Sequence, residues 1–78
     1  MSFIGKTEER LIKTSTGKTF KILITEQEGG YWVATVLYAR NGMVDAEHFS
    51  DTNRSEAYRK AAEWALNSID DKATINPL

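Results

Sequence analysis

Tyr31-Trp32-Val33-Ala34-Thr35-Val36-Leu37-Tyr38-Ala39-Arg40-Asn41-Gly42 is the stretch on which the fold turns. Aromatic and β-branched residues dominate 31–39, and such side chains suit a pleated, half-buried surface. Asn41-Gly42 follows at once, and both residues tolerate the positive φ that a type I′ hairpin turn requires. The chain therefore runs out along one strand and returns along another, about 43–49. A two-residue loop sets Arg40 opposite Met43, Ala39 opposite Val44 and Leu37 opposite Ala46.

Upstream, Ser15-Thr16-Gly17 separates two strand-length segments near 9–14 and 18–26, a second hairpin. Glu28-Gly29-Gly30 then breaks the chain before Tyr31. Downstream, Ser50 to Asn53 ends the strand pattern and a helix begins. Asn53 is its cap, with Glu56 three residues on completing a loose capping box. Tyr58, Ala61, Ala62, Ala65 and Ile69 recur at helical spacing, with Trp64 at the edge of that stripe. The far side pairs Glu56 with Lys60 and Arg59 with Glu63 at i,i+4. The expected class is α+β: a three- to four-stranded antiparallel meander followed by one C-terminal helix packed on one sheet face (ββββα). It forms one domain over 1–78, with an ordered core about 8–70 and a loose tail over 71–78.

With 78 residues the chain has room for one domain and a thin core. It has no cysteine, which removes disulfides, thiolate catalysis and thiolate metal ligation together. Met1-Ser2-Phe3-Ile4 is too short for a signal h-region, so a cytoplasmic setting is expected, with no membrane span. The net charge of −1 disfavours a general nucleic-acid binder.

No catalytic, cofactor or metal centre is expected. His48-Phe49-Ser50-Asp51 contains triad residue types, but on a strand His48 and Ser50 stand about 6.5–7 Å apart, beyond hydrogen-bond reach. His48 is the only histidine, too few for a transition-metal site without cysteine. Asp45 and Glu47 share a face without the ligand-rich loop that calcium needs. Gly29-Gly30 lacks the Lys-Ser/Thr and the following helix of a phosphate loop.

The same register sorts the sheet faces. One collects Tyr31, Val33, Thr35, Leu37, Ala39, Val44, Ala46 and His48; the other collects Trp32, Ala34, Val36, Tyr38, Met43, Asp45, Glu47 and Phe49. The first is more continuously apolar on the fourth strand and is expected to lie under the helix, joined by Leu11, Phe20, Ile22 and Ile24 if the middle loop has the right parity. A surplus apolar face remains, and such a face marks a contact surface unless Phe3 and Ile4 fold over it. The expected partner-binding residues are Trp32, Val36, Tyr38 and Leu23, for a protein partner or a homodimer, with no enzymatic activity. The rival reading is a nucleic-acid-binding sheet using Lys13, Lys18, Lys21 and Arg40.

Two family resemblances follow from these residues. Phe20-Lys21-Ile22-Leu23-Ile24, Glu28-Gly29-Gly30-Tyr31-Trp32-Val33-Ala34, Asp51-Thr52, Glu56-Ala57, Ala61 and Ala65-Leu66 make 20–66 similar to the small domain of HicB-type antitoxins. That resemblance implies a sheet and helix that block an RNA-attacking toxin by binding it. The family's Pro-Leu-Pro-Gly-type segment is replaced by Leu37-Tyr38-Ala39-Arg40-Asn41-Gly42. Separately, the order Trp32-x-Ala34-x-Val36, Asn41-Gly42, Phe49, Glu56-Ala57 and Trp64 resembles the arm-binding domain of tyrosine recombinases. That family lays a basic three-stranded sheet in a DNA groove, where Asp45 and Glu47 would oppose phosphate.

Overall fold

The computed structural model describes residues 7–78, so Phe3 and Ile4 lie outside the described residues. Four long strands form a meander: β1 (Glu8–Lys13), β2 (Thr19–Gln27), β3 (Tyr31–Arg40) and β4 (Met43–Asp51). One helix follows, α1 (Arg54–Ser68), and then a short strand, β5 (Thr74–Ile75). The sheet order is β4-β3-β2-β1-β5, antiparallel at every pairing. The expected α+β class and ββββα order hold, with one extra strand. Among the described residues no helix is long and apolar enough to cross a membrane.

The hairpin around Asn41-Gly42 forms as expected. Asn41 has φ 53° and Gly42 φ 78°, and Arg40 pairs with Met43, Ala39 with Val44 and Leu37 with Ala46. The turn between β2 and β3 matters more. It contains Glu28, Gly29 and Gly30, both glycines at positive φ, and sets Gln27 opposite Tyr31. Three loop residues put Ile22 beside Val36 and Ile24 beside Ala34. Across the other hairpin Ile12 lies beside Phe20. Even-numbered residues of β1, β2 and β3 therefore share one face.

That even face is the one the helix covers, which reverses the expected assignment. Ile12, Ile22, Ile24, Ala34 and Val36 are all 0% exposed and meet Ala57, Ala61 and Ala65 of α1, with Phe20 and Trp32 packed at the margin. The expectation leaned on β4, an edge strand whose helix-side residues include Asp45, Glu47 and Asp51. The core is centred on β2 and β3, where three isoleucine and valine side chains outweigh the polarity of the edge. Leu11, expected in the core, sits on the opposite face beside Lys21.

Alanines at 57, 61 and 65 let the helix approach the sheet closely, and Tyr58 and Trp64 fill its flanks. Trp64 packs tilted against Tyr38 at 5.1 Å and Phe49 at 6.1 Å between ring centroids. Asn53 caps the helix by accepting from the Glu56 N–H at 3.2 Å. The reciprocal half of the capping box does not form: the Asn53 N–H donates to Asp51 Oδ1 at 3.0 Å, while Glu56 pairs with Arg59. Arg59 also reaches Glu63 as expected, whereas Lys60 turns to Asp51 instead of Glu56.

Part of the C-terminal tail pairs with β1. Ile75 and Thr74 pair with Ile12 and Lys13, the Asn76 N–H donates to Leu11 O at 3.1 Å, and Asn76 Oδ1 accepts from the Leu11 N–H at 3.2 Å. Arg10 Nε donates to Pro77 O at 3.0 Å, and the Tyr58 hydroxyl donates to Asn76 O. An uncovered β1 edge would leave a row of backbone groups unpaired, and the tail supplies their partners.

The face assignment has a direct consequence for stability. Ile22→Ala is expected to cost about 2–5 kcal/mol, as for other buried isoleucines. Leu37→Ala, on the uncovered face, is expected to cost under about 1 kcal/mol. Urea unfolding midpoints of the two variants check this; equal losses would contradict the assignment.

Candidate functional site

The residues that alternation turns away from the helix form the candidate site. On β3 these are Tyr31, Val33, Thr35, Leu37 and Ala39, flanked by Leu23 and Leu11 on one side and by Val44, Ala46 and His48 on the other. Tyr31, Val33, Leu37, Leu23, Leu11 and Ala46 are only half-buried, and Val44 is 80% exposed. The apolar row is thus formed by strand alternation and left without a covering element among the described residues.

Of the four residues expected to bind a partner, only Leu23 lies on this face. Val36 is fully buried and Tyr38 is 6% exposed, both beneath the helix. Trp32 sits at the helix margin, with the Arg54 guanidinium over its ring at 5.9 Å. Burial pushes the Tyr38 phenol up, and its contact with Asp45 (3.3 Å) adds to the effect. The residues that replace them are Tyr31, Val33 and Leu37, on the face expected to lie under the helix. One signal separates the two assignments: the number of residues in the Glu28-Gly29-Gly30 turn.

The edges of the sheet are managed differently from its face. A two-residue loop makes Arg40 and Met43 a hydrogen-bonded pair, so the backbone groups of Val44, Ala46, His48 and Ser50 point outward from β4. Two of these groups have local partners: the Ala46 N–H donates to Asp45 Oδ1 at 2.8 Å, and Ser50 O accepts from Lys60 Nζ at 3.0 Å. Lys60 also holds the Asp51 carboxyl below its ordinary range, helped by the Asn53 N–H. Acidic side chains and such local bonds discourage strand addition.

His48 is exposed, and its Nδ1 lies 2.9 Å from Thr35 Oγ1. Asp51 lies on the opposite face from His48 and Ser50, engaged with Lys60, so the triad residue types are not assembled. Among the described residues no cluster of three or more His, Cys, Asp or Glu side chains could hold a metal ion.

The four bases of the nucleic-acid reading do not share a surface. Lys13 and Lys21 lie on the open face, and Lys21 is paired with Glu9 at 3.2 Å. Lys18 and Arg40 line a separate cavity of about 390 Å³ between the two hairpin tips and the end of the helix. There Arg40 donates to Ser68 O at 3.3 Å and lies over the Tyr38 ring at 5.5 Å. Asp70 closes that cavity, accepting from the Ser15 N–H at 2.6 Å and the Ser15 hydroxyl at 2.7 Å.

Comparison with protein-family models, with curated proteins and with solved structures returns no match to this chain. The resemblances to HicB-type antitoxins and to recombinase arm-binding domains rest on the residues quoted for them.

The bonds from Ser15 and from the Lys72 N–H hold the Asp70 carboxyl below its ordinary value of 3.8. A carboxyl lowered on folding contributes stability that is fully present above its unfolded value and is lost as pH falls through its folded value. Asp70→Asn is therefore expected to reduce the loss of stability between about pH 5 and pH 2, measured by urea unfolding across that range. An unchanged acid slope would show that Asp70 is not so held.

Proposed function

We propose that this protein is a non-enzymatic interaction module whose open sheet face, the one away from the helix, packs against a second copy of the chain. The observation that carries the reading is the apolar row Leu23, Val33, Leu37 and Val44, with no helix over it among the described residues. Apolar surface gathered on one side of a sheet is removed from water most simply by a second sheet about 10 Å away.

Size and charge favour a copy of the same face. Three strands about 30 Å long and one about 20 Å long, spaced about 4.8 Å apart, offer a projected area of about 530 Å². The accessible area of so corrugated a surface is of the order of the ~800 Å² per partner that a stable interface removes. Its fixed charges, Glu9, Lys13 and Lys21, lie toward β1 and leave the β3–β4 half free of Lys, Arg, Asp and Glu. Two such halves meet about a two-fold axis without like-charge repulsion. The edges, by contrast, are covered by the tail or blunted by Asp45 and Lys60, which favours the face over strand addition.

A nucleic-acid role would need the four bases to act together, and their separation supports the protein-binding reading instead. Duplex affinity that falls steeply with salt would favour the rival.

Sedimentation of a concentration series tests the dimer. The 8.8 kDa chain is expected to approach about twice that mass. Leu37→Lys places a cation in the middle of the apolar row and is expected to weaken association at least about tenfold, with the monomer still folded by circular dichroism. A monomer at every concentration, or unchanged association of Leu37→Lys, would overturn the reading.

A further inference from the structure

The open face is not level. At the end nearest the Glu28-Gly29-Gly30 turn it sinks into a cavity of about 410 Å³ lined by Thr25, Gln27, Tyr31, Val33, Thr35 and His48 among others. That volume lies in the range that small-molecule sites occupy, roughly 300–1,000 Å³. The cavity is formed within one chain, and a second copy packed on the open face would cover it.

Gln27 is the unexplained residue. It is 4% exposed, and its Oε1 is buried without a hydrogen-bond partner. Neighbouring polar groups are satisfied: Thr35 Oγ1 holds His48 Nδ1 at 2.9 Å, and Thr25 Oγ1 lies 3.1 Å from Thr7 Oγ1. An unpaired buried amide oxygen lowers stability, and leucine would fill the same volume without that cost. Oε1 is closed off from solvent as it stands, so a donor in the cavity meets it once the Gln27 side chain turns that oxygen outward.

We propose that this cavity binds a neutral carboxamide bearing an apolar group, its N–H donated to Gln27 Oε1 and its apolar part resting on Tyr31 and Val33. Neutrality follows from the lining, which contains no Lys, Arg, Asp or Glu among the described residues, so a charged ligand would lose water without gaining a counter-charge. The amide class follows from the Gln27 side chain, which presents an acceptor and a donor side by side. A second amide answers both at once. Such a group comes either from a free small molecule or from an Asn or Gln side chain of a second copy.

Benzamide is the probe, titrated into dilute 15N-labelled protein and followed by NMR. Saturable shifts are expected at the Gln27 side-chain amide and at the backbone of Val33, Thr35 and His48. N,N-Dimethylbenzamide keeps the ring and carbonyl but has no N–H to donate, and is expected to bind about tenfold more weakly. Gln27→Leu is expected to keep or raise the urea midpoint while weakening benzamide by a similar factor. Absence of saturable shifts, equal binding of the dimethyl compound, or undiminished binding to a folded Gln27→Leu variant would each overturn the proposal. If that variant does not fold, the two ligands compared on the unmodified protein decide alone. Sedimentation with benzamide then identifies the source: a fall in mass assigns the amide to a second copy, and an unchanged mass assigns it to a free ligand.

Discussion

The three-residue turn at Glu28-Gly29-Gly30 governs the molecule because side chains alternate along a strand with period two. An odd loop joins even residues of β2 to even residues of β3, so Ile22 and Ile24 meet Val36 and Ala34. Positive φ at both glycines, 97° and 81°, permits so short a turn at little steric cost. A loop of two or four residues would send Ile22 and Ile24 to the face of Val33 and Leu37. The helix would then have to choose between two half-apolar surfaces. The observed parity gathers Ile12, Phe20, Ile22, Ile24 and Val36 on one face and gives the alanine side of the helix one place to go.

Everything that distinguishes the two faces follows from that concentration. The covered face takes Tyr38, Trp64 and Phe49 as one aromatic group, with Asp45 and Asp51 placed at its rim, where Tyr38 and Lys60 meet them. The uncovered face keeps Tyr31, leucines, valines, threonines and one histidine, with its charges toward β1. The tail closes the β1 edge through Ile75 and Asn76. A single helix satisfies a sheet this size on one side only, so the other side is where binding is proposed.

Much of this was legible in the residues. The hairpin at Asn41-Gly42 and its register, the Asn53 cap and the alanine stripe of the helix all come from local rules of turn chemistry and periodicity. Those rules need only neighbours in sequence. Face assignment needs parity to propagate across a loop whose residue count depends on where β2 ends, and strand ends are poorly marked by composition. On β4, Asp45 and Glu47 make the helix-covered face the more polar one, and an edge strand can carry such acids at the margin of a helix. The β5 pairing was illegible for a different reason: two residues carry no periodicity, and their order comes from Asn76 and Tyr58, distant in sequence from β1. Gln27 could not be singled out either, since an unpaired amide is visible only once its surroundings are in place.

The central claim is that the helix lies over Val36 and leaves Val33 bare, and solvent accessibility of methyl groups tests it most directly. With the protein held dilute, an inert soluble gadolinium chelate added to a methyl-labelled sample relaxes protons in proportion to their nearness to solvent. The account predicts strong broadening for the methyls of Val33, Leu37 and Val44, and protection for those of Ile22, Ile24 and Val36. The reverse pattern, with Val36 broadened and Val33 and Leu37 protected, would contradict it.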